Sequence, residues 1–360
     1  MAGEGGNTAD DAEPVALTAQ RAAAADGRRR HATPGRPDEL EVRPVGPGEL
    51  SAGLRLLLGE GHRPADDAQV LSFTATAVRK QYDLSAMRVV SRSGGGRVAP
   101  PTLVYAVLTL VQPGGVALVL TPGAVDLAFV EAAAEAVRQS LDTCGRHVLA
   151  QSLVDGDEPT AALPLQRCGF EPLATLLYLH RTLHGTTVPP PPPSADGRLL
   201  RAVTYAPETH GLFRQALLSS YIGSQDCPRL SGVRDVDDVL AGHRAAGVHD
   251  PTLWTVLCDG DEPAAVVLLS PTEHEPSLEL VYLGVSPAYR HKGLGHWCLR
   301  YALHVAESRS LHRLVVAVDA ENRPALKLYY RFGLKRFHRR LVMFRLGGGK
   351  ASGGVAGVTA

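Results

Sequence analysis

Slid along itself by 164 residues, the chain aligns without a gap over about the last sixty positions of each half. Val130, Ala134, Val137 and Leu141 fall on Leu294, Cys298, Tyr301 and Val305. Both sets have the i, i+4, i+7, i+11 spacing of one buried helical stripe. In the same frame Asp155 meets Asp319, Ala161 meets Ala325, and Gly169-Phe170 meets Gly333-Leu334. Any two amphipathic helices can be slid into register, but a helix, a strand, an Asp, an Ala and a Gly coinciding in one frame indicate two copies of one fold. At 360 residues the chain is long enough to give each copy its own core.

Composition sets the limits of those copies. Residues 1–37 are rich in Ala, Gly, Arg and Asp with almost no large apolar side chain, and are expected to be disordered. Five consecutive prolines within 186–197, "TTVPPPPPSADG", read as a stiff polyproline II spacer. It divides a first unit, 38–185, from a second, 198–346, and 347–360 read as a flexible tail. The second unit starts with a strand at 199–204 and helical material at 206–245. A hairpin follows, "LWTVLC" and "AAVVLLS" around Asp259-Gly260. Then come a strand at 278–285, a helix to about 309 and a strand at 313–318. A short helix opening near Asn322 and Pro324 and a last strand, "RRLVMFRL", complete a mixed α/β sheet.

The substitutions between the copies carry the functional information. Arg290 meets Asp126, Gly293 meets Phe129, and Gly295 meets Glu131. Asn322, Tyr329 and Glu279 meet Glu158, Leu165 and Gly115. The first copy therefore lacks each residue that could bind phosphate or move a proton, and its acidic turn would repel a pyrophosphate. In the second copy "RHKGLG" stands at a strand-to-helix turn, where backbone N–H groups and a helix N-terminus face an anion. There is no G-x-x-x-x-G-K-[ST] loop and no G-x-G-x-x-G dinucleotide fingerprint.

Other function classes find little support. Formal net charge is +0, and the arginine clusters have no interleaved aromatic residues, so neither nucleic acid nor an anionic membrane is an expected partner. Cys144, Cys168, Cys227, Cys258 and Cys298 are odd in number and far apart, which fits buried thiols in a reducing compartment. The 14 histidines show no metal-ligand spacing, and no metal is expected. The N-terminus has no apolar signal core and no window reaches membrane-span length, so a cytoplasmic protein is expected.

The run "ELVYLGVSPAYRHKGLG" followed by "NRPALKLYYRFGL" resembles the Gcn5-related N-acetyltransferase (GNAT) family. The match holds the strand ending Leu283-Gly284-Val285, then Arg290-x-x-Gly293-x-Gly295, then Asn322-x-x-Ala325-x-x-Leu328-Tyr329-x-x-x-Gly333. Leu334 stands where the family usually has Phe. The resemblance implies an α/β fold of two tandem GNAT-like domains, each a mixed, mostly antiparallel sheet flanked by helices, with a degenerate N-terminal copy. It also implies acetyl-CoA as co-substrate, its pyrophosphate on the backbone of Arg290, His291, Lys292, Gly293, Leu294 and Gly295. Leu283, Gly284 and Val285 would bond the pantetheine arm, and Asn322 would cap its helix and contact the same arm.

Three side chains keep two readings each. Arg290 adds charge to the turn or is a solvated loop arginine. Glu279, six residues before Val285 and read on the same strand face, is a general base or an edge glutamate. Glu275 and His274 are the backups in the preceding loop. Tyr329 is a general acid for the coenzyme A sulfur or a core aromatic, sharing a helical stripe with Ala325, Leu328 and Phe332. The implied reaction is direct acetyl transfer to a primary amine in a ternary complex, since no Cys lies in the motif. The acceptor, a small-molecule amine or a peptide or protein amine, would be met by residues 206–250 and the first unit. A non-catalytic acyl-CoA-binding module is the alternative, and the retained Glu279–Tyr329 pair argues against it.

Overall fold

The computed structural model describes residues 40–93, 101–145, 147–183, 188–273 and 275–347. Residues 1–37, 348–360 and His274 lie outside the described residues. The first half runs β1 (Leu40–Pro44), α1 (Leu50–Leu57), α2 (Asp67–Arg79), β2 (Arg88–Arg92), β3 (Thr102–Gln112) and β4 (Val116–Leu120). It continues with α3 (Val130–Thr143), β5 (Leu149–Asp155), α4 (Leu163–Arg167) and β6 (Glu171–Thr182). A short hairpin, β7 (Ser194–Ala195) and β8 (Arg198–Leu199), follows the prolines. The second half runs β9 (Arg201–Thr204), α5 (His210–Tyr221), α6 (Val236–Ala245), β10 (Trp254–Asp259) and β11 (Glu262–Pro271). It ends with β12 (Ser277–Val285), α7 (Leu294–Ser308), β13 (Arg313–Asp319), α8 (Arg323–Arg331) and β14 (Lys335–Leu346).

The 164-residue frame survives in the backbone. Helices α3 and α7 start at 130 and 294, and β5 and β13 span 149–155 and 313–319. Strands β6 and β14 span 171–182 and 335–346, again 164 apart at both ends. Gly169 and Gly333, equivalent in that frame, both close a helix with left-handed φ values of 78° and 76°.

One property of the pairing is invisible in the repeat. The twelve-stranded sheet has the order β1-β2-β3-β4-β5-β14-β6-β13-β12-β11-β10-β9. Each half gives its last strand to the other: β14 pairs antiparallel with β5 of the first half, and β6 pairs antiparallel with β13 of the second. The exchanged strands also pair with each other. Since β6 and β14 are equivalent and antiparallel, a pseudo-twofold axis passes between them, normal to the sheet. It places α3 and α7 on one face and α1, α2, α5 and α6 on the other. The cores interlock accordingly. Leu177 and Leu179 of β6 pack with α7 of the second half, and Met343 of β14 packs with α3 of the first.

Two further contacts tie the halves together. At the end of α2, Arg79 and Lys80 pair with Glu273 at 3.0 and 2.8 Å, and Lys80 Nζ donates to the Ala245 carbonyl at 3.2 Å. The proline stretch, read as a stiff polyproline II spacer, lies against α7. Trp297 Nε1 donates to the Pro191 carbonyl at 2.7 Å, and Lys292 pairs with Asp196 at 2.6 Å. A carbonyl row without competing N–H donors suits such a seat.

The exchange predicts one cooperative unit. Calorimetry should show a single transition whose van't Hoff and calorimetric enthalpies agree. Met343→Ala should cost about 2–5 kcal/mol and lower amide protection in α3, although residue 343 belongs to the other half. Protection loss confined to the second half would contradict the interlocked cores.

Candidate active site

Strand β12 has β11 on one side along its length, but its other neighbour leaves early. It pairs in parallel with β13 at Ser277–Arg313, Leu278–Leu314 and Glu279–Val315, and then the two strands diverge. β13 continues to Asp319 along β6. The edge of β12 from Leu280 to Val285 that faces β13 is thus left without a strand partner. The gap opens a cleft of about 630 Å³, lined by Leu280–Val285, Val316–Val318, the start of α7, and α8 through Asn322, Leu328 and Tyr329. The α5–α6 loop forms its lip through Ser224, Gln225 and Asp226.

At the open end of this cleft lies the glycine turn. Gly293 takes φ 86°, a left-handed conformation that costs a glycine nothing, and a Cβ there would meet no described atom within 4 Å. Conformation therefore fixes this glycine. At Gly295 a Cβ would lie 3.3 Å from Leu328 Cδ2, so this position lets α7 approach α8. Helix α7 begins with no side-chain cap, and its first intrahelical donor is Trp297 N to Gly293 O at 3.0 Å. The N–H groups of Leu294, Gly295 and His296 are left at the positive end of a 15-residue helix. His291, itself at φ 64°, also lines the cleft.

The first copy shows how the same turn is closed. Asp126, the counterpart of Arg290, accepts a hydrogen bond from Ala128 N at 3.0 Å, so the chain supplies its own anion. Glu131 puts a carboxylate in the first turn of α3 and pairs with Arg167 at 3.1 Å. Leu165, the counterpart of Tyr329, is fully buried in the α3 core.

Arg290 has a role the motif does not reveal. Its guanidinium donates to four main-chain carbonyls: Val285 at 3.1 Å, Ser220 at 3.1 Å, Ile222 at 2.6 Å and Gly223 at 3.3 Å. Three of these carbonyls belong to the C-terminal end of α5 and the turn after it, where a cation is favoured. Arg290 thus ties α5 to the end of β12, and is far from being a solvated loop side chain. Lys292 points out of the cleft, paired with Asp196 and lying 5.4 Å from the Tyr289 ring centroid. Leu294 is buried in the α7 core and offers the cleft its backbone. Leu283, Gly284 and Val285 form the cleft wall opposite β13. Asn322 caps α8, its Oδ1 accepting from Ala325 N at 3.3 Å.

Glu279 and Val285 do not share a strand face. In the β11–β12 ladder Leu268 faces Tyr282 and Leu269 faces Leu280, so Val281 is an extra residue. This β-bulge reverses the alternation that follows it. Leu278 and Leu280 pack with α7 before the bulge, as do Leu283 and Val285 after it, whereas Val281 and Tyr282 pack toward α5. Glu279 accordingly faces the α5–α6 side, at the closed end of the cleft rather than in its wall. Burial pushes its carboxyl up to about 7, against a pull downward from the Lys80 ammonium of the first half.

Tyr329 is 5% exposed and lines the cleft, and its hydroxyl has no hydrogen-bond partner among the described residues. Burial raises its pKa, with a further push from the carboxylate of Asp226. Asp226 went unnoticed in the sequence. At the lip, burial of its carboxyl, with a further push from the Asp319 carboxylate, raises it above the usual range. The loop is held over the cleft by Cys227 N donating to Asp319 Oδ2 at 3.1 Å, with Cys227 at φ 43°. An acidic residue between a Gln and a Cys carries no motif, so only the fold brings it to Tyr329.

Residues 224–334 match the family model described as the acetyltransferase (GNAT) family. The match lies within the second half, the half that holds the splayed strand pair and the open glycine turn. Among named relatives, the mycothiol acetyltransferase of Amycolatopsis mediterranei (strain U-32) is 28% identical over 191 residues, 50% of this chain and 60% of that protein. The mycothiol acetyltransferase of Jonesia denitrificans is 26% identical over 265 residues, 66% of this chain and 74% of that protein. The match to the former thus spans less than two thirds of its length. A solved GCN5-related N-acetyltransferase from Sphaerobacter thermophilus superimposes with a TM-score of 0.59 at 17% identity, over 86% of this chain and 96% of that one. It shares the fold over both halves. Among the described residues no group of His, Cys, Asp and Glu could hold a metal ion, and no helix is long and apolar enough to cross a membrane.

The packing of α5 onto β12 gives a direct test of the site's framework. A Cβ at Gly284 would lie 2.5 Å from Ser220 Oγ and 2.8 Å from Tyr282 Cε1. Gly284→Ala should cost about 1–3 kcal/mol by overpacking, read as a lowered midpoint in urea with an unchanged m-value. An unchanged midpoint would mean that α5 is not seated on the strand as described.

Proposed function

We propose that the second half is an acetyl-CoA-dependent N-acetyltransferase acting on a primary amine by direct attack in a ternary complex. The observation that carries this reading is the uncapped α7 N-terminus at the open end of the β12–β13 splay, with Tyr329 in the same cleft. The free N–H groups of Leu294, Gly295 and His296 suit a pyrophosphate. The unpartnered edge of β12 suits the amides of a pantetheine arm, which would add to it like a strand. Acetyl-CoA supplies the activated acetyl thioester.

The chain's own residues then divide the proton work. An amine acceptor arrives as an ammonium ion and must lose a proton before it attacks. Asp226 at the lip of the cleft draws it in, and Glu279 stands on the α5–α6 side of β12 at the last position paired with β13. Glu279, titrating at about 7, is the general base, directly or through one water. Tyr329 keeps its proton at neutral pH and gives it to the departing thiolate. A main-chain N–H of β12 at the bulge can hold the oxyanion of the tetrahedral intermediate.

The experiment is thiol release from acetyl-CoA against a panel of amines and peptide N-termini. Tyr329→Phe should lower kcat roughly 10²–10⁴-fold while coenzyme A still binds by calorimetry. Binding with no turnover of any acceptor would instead support the acyl-CoA-binding module. Glu279 gives a pH signature. In the wild type kcat/KM should rise with pH through about 7 as the base ionises. Its carboxyl is raised in the fold, so stability is fully present below the ordinary carboxylate range and falls as pH increases toward 7. Glu279→Gln should abolish the rising rate limb and flatten that stability slope together. Loss of the slope with an intact rate limb would remove Glu279 as the base.

A further inference from the structure

A cavity of about 380 Å³ lies between the halves, on the sheet face opposite α3 and α7. Its floor is β4 and β5, with Leu118 and Leu120 only partly buried because they face it, while Ala117 and Val119 between them are buried under α3. In the 164-residue frame Leu118, Leu120 and Thr121 are the counterparts of Tyr282, Gly284 and Val285. In the second half this face is filled. Gly284 lets α5 down onto the strand, and Tyr282 OH bonds Ser220 Oγ at 2.9 Å with Tyr221 packed on its ring. In the first half α1 and α2 cover β3 instead, and α6 of the second half roofs what remains. The copy that lost its phosphate turn has kept an open chamber on its other face.

The chemistry of the lining is one-sided. The walls are mostly aliphatic, and the lining contains no carboxylate among the described residues. The polar atoms that lack partners are Gln112 Nε2 and Arg234 Nε near the β3–β4 turn, and the Thr121 hydroxyl at the other end of β4. Arg234 makes one hydrogen bond, NH2 to the Asp238 carbonyl at 2.6 Å, and no ion pair among the described residues. Lys80 and the buried Arg340 add further cations to the lining, Lys80 answered by Glu273 and Arg340 by a partner within the protein. Buried donors without acceptors are costly and uncommon, and each calls for a ligand atom or a water. A dipolar neutral molecule would leave the Arg234 guanidinium uncompensated, and one carboxylate answers it.

We infer that this cavity is a second small-molecule site, which takes a monocarboxylate with an apolar body, its carboxylate on Arg234 and Gln112 near the β3–β4 turn and its body over Leu118 and Leu120. The site is separate from the acetyl-CoA cleft and does not depend on the transferase reading.

Calorimetric titration of the full chain with octanoate, and with octanol as the neutral probe, tests it. Octanoate should bind, with octanol at least about tenfold weaker, since a charge-assisted hydrogen bond to a guanidinium is at stake. Arg234→Gln should weaken octanoate by about tenfold or more and leave octanol unchanged. Gln112→Leu should raise the melting temperature of the free protein, by removing a buried unpartnered donor, and weaken octanoate. Equal binding of both probes would reduce the site to a greasy void and overturn the inference. So would octanoate affinity unchanged in a folded Arg234→Gln protein, or no binding at millimolar octanoate.

Discussion

The pairing of β14 with β5 and of β6 with β13 is the constraint on which the remaining structure rests. Neither half can close its own sheet, because the strand that would do so lies across the pseudo-twofold axis. Backbone donors and acceptors on β5 and β13 would be left open if either copy were removed, and sheet edges of that length are adhesive. A chain with this topology cannot lose either half without opening the sheet of the other. The first half is therefore retained as structure, and its residues are free to diverge wherever the shared sheet does not hold them.

How they diverged can be read at one turn. Both copies start a helix after a strand in the same frame, and both must satisfy N–H groups at the helix start. The first copy runs a 3-10 turn, Leu127–Phe129, directly into α3 and caps that turn with Asp126, which accepts from Ala128 N. The second leaves the start of α7 uncapped and spends Arg290 elsewhere, holding four carbonyls of the α5 end and β12. An acidic cap and an open turn are mutually exclusive uses of one position. Arg290 secures the open version twice, by removing a competing carboxylate and by fixing the strand end from which the turn departs.

The parts of the fold that follow local periodicity were legible in the chain. The α7 stripe, the Asp259-Gly260 hairpin, the Asn322 cap and the repeat frame each depend on residues within a few positions of one another. The glycine turn was legible for the same reason. What escaped depends on partners far away in sequence. The strand exchange conserves every local pattern, since β6 and β14 are interchangeable in hydrophobic alternation, so no period could announce it. The bulge at Val281 is one extra residue in an apolar run, where "LELVYLGV" alternates poorly either way, and it moved Glu279 to the opposite face from Val285. Asp226 is placed by hydrogen bonds to Asp319, some ninety residues on. The chamber over β4 arises because Gly284 and its first-half counterpart Leu120 differ in bulk, an effect that needs α5 and α6 in place to be seen.

The displaced Glu279 also shows why the two halves are one electrostatic unit. A carboxyl enclosed by apolar strands would be pushed far up by desolvation alone. Here it sits beside a lysine from the other half, and the two influences leave it at about 7. That lysine is not free to wander: its ammonium is held by Glu273 and the Ala245 carbonyl, both in the second half. A contact that serves to dock α2 onto α6 thereby also fixes a charge near the closed end of the cleft. The first half helps set the protonation state of a carboxyl in the second, and it does so through the same residue that binds the halves together.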